Sequence, residues 1–173
     1  IAIGIYVYTS FALMRIAQKA KTEPAWLAWI PVGNLYLMSK IAKMHWWPIL
    51  LIIPMIIELT VAFIFMALEI TTVGVIFLIL YFLTIILFVV YCTIWQWKMY
   101  EAVDRPGWWS LVPVICSIIY YTFNYIFIIF NNPVMNLAGF MILMIGSIAS
   151  LVFYGIAAWG TPETQTVSVK KKK

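Results

Sequence analysis

Between Glu69 and Lys98, and again between Arg105 and Glu163, no side chain carries a charge. A bilayer core about 30 Å thick is crossed by about 20 apolar helical residues, and each of these intervals is longer than that. Inside hydrocarbon every backbone N–H and C=O needs an internal partner, which restricts spanning structures to helices and closed barrels. Barrel strands would alternate apolar and polar residues over segments of about ten, whereas these runs are continuously apolar. The chain is 65% hydrophobic and 10% charged, with a mean hydropathy of +1.02. That balance excludes a soluble globular domain and points to an all-α, polytopic membrane bundle.

Five spans follow from the apolar runs, at about 1–17, 46–68, 71–97, 107–130 and 133–159. Residues 160–173 form a flexible basic tail, and residues 1–159 the transmembrane domain. The chain starts at Ile1, so a cleaved signal peptide or residues completing the first span are both open. The turns at 69–72 and 131–132 are short and hold no Lys or Arg. Arg15, Lys19, Lys21, Lys40, Lys43, Lys98, Arg105 and Lys170 to Lys173 all fall in the other connections or the tail. By the positive-inside rule this places the N-terminus outside and the C-terminus in the cytoplasm.

That orientation depends on residues 24–45, P-A-W-L-A-W-I-P-V-G-N-L-Y-L-M-S-K-I-A-K-M-H, which Pro31, Gly33 and Asn34 interrupt. An apolar stretch of about 14 residues is more often interfacial or re-entrant than spanning, so this segment is expected in the headgroup layer. In the competing six-span arrangement residues 25–39 cross, which would divide the cations between the two faces. All nine tryptophans fall near the inferred cytoplasmic boundary. Trp26, Trp29, Trp46, Trp47, Trp108 and Trp109 are therefore candidates for a docking surface, with headgroup anchoring as the plainer role. Shifting the chain by 82 aligns Pro24, Trp26, Pro31 and Val32 with Pro106, Trp108, Pro113 and Val114. Two spans separate these copies, so the partial internal repeat is parallel.

The pattern P-x-W-x-x-x-I-P-x-x-N-x-Y over residues 24–36, then K-I-A-K-x-x-W-W-x-x-L-L-x-I-P over 40–54, resembles a family of small prokaryotic membrane proteins of unknown function. That domain is sometimes joined to signal-peptidase-like proteins. The likeness covers about residues 14–56. Gly33 stands where the family usually has an aromatic, and Met44–His45 replaces a common Gly/Lys-Pro pair. The resemblance implies a prokaryotic membrane location and an architecture, and no activity. Pro24, Trp26, Leu35 and Tyr36 also resemble the first loop of the tryptophan-rich sensory proteins, five-span binders of porphyrins and sterols. Pro31 is out of that register, and the fourth span lacks that family's Pro-Tyr-Leu-x-Trp signature.

Few residues offer chemistry. Glu58 lies near the middle of the second span, where a carboxylate is costly, and it should face the bundle interior or a partner. It is either neutral or paired with a polar group or another subunit's cation. Ser117, Tyr121 and Asn124 share one face of the fourth span and are its expected internal partners. Gly139, Gly146 and Ser150 supply small residues for helix packing. Cys92 and Cys116 lie within spans and make no C-x-x-C. His45 is the only histidine, too few for a metal or haem site, so no cofactor is expected. Nothing forms a nucleophile–base pair or a phosphate loop.

These features point to a non-catalytic accessory, structural or assembly subunit of a larger membrane complex. Its expected partners are the bilayer, other membrane subunits and anionic lipid at the basic tail, with no nucleic acid. A small-molecule or lipid binder or transporter is the alternative. Lys40 discriminates the two topologies: in sealed cells, Lys40→Cys in a Cys92→Ala, Cys116→Ala background should resist an impermeant maleimide. Labelling from outside would reverse the assignment.

Overall fold

The computed structural model describes residues 2–130 and 133–160. Its elements are helices α1 (Ala2–Lys19), α2 (Pro31–Ile41), α3 (Ile52–Ala67), α4 (Thr71–Glu101), α5 (Leu111–Phe130) and α6 (Pro133–Trp159). Three short 3-10 helices lie between them, at Ala25–Trp29, Trp47–Leu51 and Gly107–Ser110. The protein is all-α. The turn at 131–132 and the tail from 161 lie outside the described residues.

Among the described residues, four stretches are long and apolar enough to cross a bilayer: Trp47–Ala67, Thr71–Glu101, Gly107–Phe127 and Asn136–Trp159. They coincide with the second to fifth expected spans. The first expected span is α1, which is not in that set; Thr9, Ser10, Arg15, Gln18 and Lys19 dilute its hydropathy. At 1.5 Å per residue α1 is still about 27 Å long.

Four chain reversals use one device. Lys21, Lys43, Glu69 and Asp104 adopt left-handed backbone angles, with φ of 52°, 52°, 62° and 58°. The next residue's N–H then reaches back into the last turn: Thr22 to the Ala17 carbonyl at 2.9 Å, Met44 to Ser39 at 3.0 Å, Ile70 to Phe65 at 2.9 Å and Arg105 to Tyr100 at 2.9 Å. These are Schellman caps, which satisfy carbonyls that α1, α2, α3 and α4 would otherwise leave unpaired. A β-carbon in this region costs about 1–2 kcal/mol, offset here by the recovered hydrogen bonds.

Residues 24–45 are not among the four stretches long and apolar enough to cross. The 11-residue α2 rises only about 16 Å, roughly half a bilayer core. Nor do they lie flat across the helix ends. The Tyr6 hydroxyl donates to the Trp29 carbonyl at 2.5 Å, and about 20 Å of α1 separates Tyr6 from Lys19. The 3-10 helix Ala25–Trp29 therefore runs back along α1, and α2 returns. Ile30, extended at φ −102° and ψ 125° because it precedes Pro31, makes the reversal. Pro31 then opens α2 at a position where its missing N–H is not needed. The result is a half-length helical hairpin with Trp29, Ile30 and Val32 exposed at its tip.

The hydrophobic core occupies one end of the bundle. Trp95, Met99 and Tyr100 at the end of α4 are fully buried against Ile16 and Ala17 of α1, Leu37 and Ile41 of α2, and Ala157 and Ala158 of α6. A ring cluster extends it: Trp109 stacks on Phe153 at 4.6 Å, and Tyr100 meets Trp109 and Tyr154 edge-on at 5.7 and 5.9 Å. The C-terminal ends of α1, α2, α4 and α6 and the starts of α3 and α5 converge here. All seven described Lys and Arg residues lie at or near this end. At the other end α3 packs on α4 and α5 on α6 as separate hairpins. Away from the core, the described buried residues of α3 to α6 are Ala62, Gly74, Gly139 and Gly146, all small, while large apolar side chains point outward.

Trp95→Ala should therefore lower the stability of the detergent-solubilised protein by about 3–5 kcal/mol, as truncation of a buried aromatic does. Trp46→Ala, at a side chain 52% exposed, should change it by less than about 0.5 kcal/mol. Denaturant titration followed by circular dichroism reads both.

Candidate functional site

Glu58 is half-buried on α3, and its partner is Thr84 of α4: the threonine hydroxyl lies 3.2 Å from Glu58 Oε1 and 3.0 Å from the Leu80 carbonyl. The expected partners on α5 are not the ones used. The Ser117 hydroxyl donates to the Pro113 carbonyl of its own helix at 2.7 Å. Tyr121 is 70% exposed, and Asn124 is half-buried on the same helix. The reason is connectivity: the tight turn at 69–70 pairs α3 with α4, so Glu58 faces the helix that follows it. Glu58 Oε2 is buried and has no partner among the described residues. Lys98 is the one Lys or Arg on α3 or α4, and about 21 Å of helix separates it from Thr84.

The small residues of α6 face α5. A β-carbon on Gly146 would lie 2.5 Å from Cys116 Cβ and 2.7 Å from its Sγ, and one on Gly139 would lie 2.9 Å from Phe123 Cβ. Ser150 is half-buried on the same helix. This spacing is therefore used inside the α5–α6 hairpin, where it brings the two backbones close.

The tryptophans divide by role. Trp26, Trp29, Trp46, Trp47 and Trp108 are 59, 39, 52, 45 and 53% exposed. Trp47 nevertheless meets Tyr91 edge-on at 5.3 Å. Trp109, expected as a docking residue, turns inward to Phe153 and Tyr100. Its neighbour Ser110 is buried and bonds the Gly107 carbonyl at 2.9 Å, which fixes the turn that aims it. The Trp97 indole donates to Glu101 Oε1 at 2.6 Å and lies against Gly107, where any β-carbon would collide with the ring. That contact latches α4 to the entry of α5.

The C-terminal end of α6 gathers cations. Lys19 Nζ donates to the carbonyls of Ala157 at 3.0 Å and Gly160 at 2.8 Å, and the Arg105 guanidinium lies against Gly160. Positive charge at this end complements the helix dipole. Partial burial, and then the neighbouring Arg105, hold the Lys19 ammonium below the usual lysine pKa. Lys40 Nζ donates to the Glu23 carbonyl at 2.9 Å, tying the two ends of the half-length hairpin together. His45 is exposed, and among the described residues no three His, Cys, Asp or Glu side chains gather as a metal site would require.

Between α4 and α5, beyond the Trp97–Gly107 latch, lies a crevice of about 780 Å³. Val89, Thr93 and Gln96 line one wall, and Pro113, Ser117 and Tyr121 the other. The Thr93 hydroxyl donates to the Val89 carbonyl at 2.8 Å, as Ser117 does to Pro113, so both polar groups are internally satisfied. Ser117 and Tyr121 of the expected polar stripe on α5 thus line a largely apolar recess, and Asn124 does not. Comparison of the chain with protein families, with curated proteins and with solved structures yields no match.

The Glu58–Thr84 contact yields a sharp expectation. Thr84→Val should cost about 0.6 kcal/mol, the mean for a hydrogen bond between membrane helices. Adding Glu58→Leu should recover at least that amount, because replacing both partners leaves no unsatisfied carboxyl. Reversible unfolding in mixed micelles measures the cycle; a double variant no more stable than Thr84→Val alone would refute the pairing.

Proposed function

We propose that this protein is a non-catalytic accessory or assembly component of a larger membrane complex. The observation that supports this most directly is the contrast between its two ends. One end is closed around Trp95, Met99 and Tyr100, while the outward faces of α3 to α6 present large apolar side chains along their lengths. Ile53, Ile56 and Ile57 on α3, Ile79, Leu83 and Ile86 on α4, and Ile145 and Ile148 on α6 are each more than half exposed. Membrane helices associate through close packing and interhelical hydrogen bonds, and these faces can meet other spans as well as lipid. The exposed indoles of Trp26, Trp46, Trp47 and Trp108 add a candidate docking face.

In this reading the cation-rich end faces the cytoplasm of a prokaryotic cell, by the positive-inside rule. The two Pro–Trp segments are its parallel repeat. Each follows a Schellman-capped helix and forms a 3-10 helix, Ala25–Trp29 in the first copy and Gly107–Ser110 in the second. The first then reverses at Ile30, whereas the second runs on into α5. The likeness of residues 14–56 to small prokaryotic membrane proteins belongs to the same proposal. A second reading, a lipid or small-molecule binder, is favoured by the crevice between α4 and α5.

Extraction from the native membrane in a mild detergent, followed by native mass spectrometry, tests the choice. Co-purification with other subunits at fixed stoichiometry is the expected outcome. A lone chain that retains an apolar ligand would overturn the accessory assignment in favour of the binder.

A further inference from the structure

We propose that the pocket between the end of α1 and the start of the half-length hairpin binds the headgroup of one phosphatidylethanolamine molecule, with its phosphate at Lys21 and its ammonium at Glu23. This goes beyond the accessory role and does not depend on it, because a single run of chain, residues 14–26, supplies the lining.

Size and depth come first. The pocket holds about 650 Å³, within the range of about 300–1,000 Å³ that ligand sites occupy. Met14 and Gln18 of α1, Lys21 and Glu23 of the connection, and Trp26 of the 3-10 helix stand around it. Lys19 fixes its level, because its ammonium bonds the carbonyls of Ala157 and Gly160 at the end of the span-length stretch Asn136–Trp159. Gln18 to Glu23 are therefore level with the end of a span, where headgroups lie, and Met14 is about 6 Å deeper along α1. The lining is graded in the same direction, polar at Lys21 and Glu23 and apolar at Met14, which suits an amphiphile standing in the bilayer.

Charge selects the headgroup. Among the lining residues Lys21 is the one cation and Glu23 the one anion, so the pocket complements a ligand that carries both charges and is neutral overall. Both side chains are exposed, and neither has a hydrogen-bond or ion-pair partner among the described residues. The neighbouring Lys40 bonds the backbone carbonyl of Glu23 at 2.9 Å and leaves its carboxylate open. That bond, with the Thr22 N–H on the Ala17 carbonyl, braces the connection that presents the two charges. A carboxylate recognises an ammonium by accepting its N–H bonds, which ethanolamine can donate and the quaternary nitrogen of choline cannot. Choline sites instead surround the cation with aromatic rings, and Trp26 is the only aromatic ring among these lining residues. An anionic headgroup would bring Glu23 a second negative charge with no second cation in the lining to offset it.

The full chain, stripped of lipid in detergent, is titrated with phosphatidylethanolamine, phosphatidylcholine or phosphatidylglycerol of identical acyl chains, and one-to-one adducts are counted by native mass spectrometry. Phosphatidylethanolamine should bind about tenfold more tightly than either of the others, the lower end of what a hydrogen bond between charged groups supplies. Glu23→Gln should reduce it to the phosphatidylcholine level, and Glu23→Asp should keep most of the preference. Lys21→Gln should weaken both of these lipids alike, since both carry the phosphate. Asp104→Asn, at an exposed carboxylate of the same end but outside the pocket, should change nothing. All four substitutions fall on exposed side chains, and their circular dichroism should match the parent. Equal affinity for the three lipids would overturn the proposal, as would tighter binding of phosphatidylglycerol or a preference that survives Glu23→Gln. Full competition by equimolar glycerophosphoethanolamine in water would also overturn it, since the ligand would then be a free zwitterion and not a lipid. Loss of co-purifying subunits would bear on the accessory role and leave this lipid preference unaffected.

Discussion

The burial of Trp95, Met99 and Tyr100 at the end of α4 is the contact on which the rest of the structure depends. α4 is the longest helix, and its last two turns are where α1, α2, the entry to α5 and the end of α6 meet. In hydrocarbon, removing apolar surface from lipid offers little driving force, so association relies on close packing and on satisfying polar groups. Both are concentrated here. Aromatic rings fill the space between helices, and Lys19, Lys40 and Ser110 bond backbone carbonyls that helix ends and turns expose. Where these aids are missing, the structure opens into two hairpins with a crevice between them.

The half-length hairpin follows from the same logic. An unsatisfied peptide group is expensive at membrane depth, and non-helical backbone is tolerated only where protein covers it. Trp29 and Ile30 break the helical pattern at the turn, and the Tyr6 hydroxyl reaches the Trp29 carbonyl there. Pro31 follows, a residue with no N–H to satisfy. The turn is thus built from groups whose polar demand is already met or absent.

Much of the architecture was legible in the sequence because uncharged runs of this length have few physical solutions. Four of five expected spans coincide with long apolar helices, and Pro31, which interrupts residues 24–45, opens the short, 11-residue α2. The fold-back of that segment along α1 was not legible, since proline and glycine mark where a helix stops but not which way the chain turns next. Polar spacing points from Glu58 to α5, whereas hairpin register places Thr84 of α4 opposite it. Glu58 and Thr84 are symmetric about residue 71, as are Phe65 and Phe77, which stack at 6.2 Å. Gly146 and Cys116, like Gly139 and Phe123, are symmetric about residue 131. A tight turn fixes which residues lie opposite one another, and that signal outranks matching polarity between distant spans. The inward turn of Trp109 had no such signal, because Trp108 and Trp109 are alike in sequence and differ only in what the 3-10 helix aims them at.

Each of the four left-handed caps falls on a lysine, a glutamate or an aspartate, and none of the described glycines has a positive φ. Glycine is thereby released from the task of bending the chain. At Gly107, Gly139 and Gly146 it marks instead where a neighbour's atoms occupy the volume a methyl group would need. An alanine scan of these glycines is therefore a proximity map of the bundle: each intolerant position has a named neighbour, and at Gly107, where the atoms in the way belong to the Trp97 ring, trimming that neighbour restores tolerance without altering any turn.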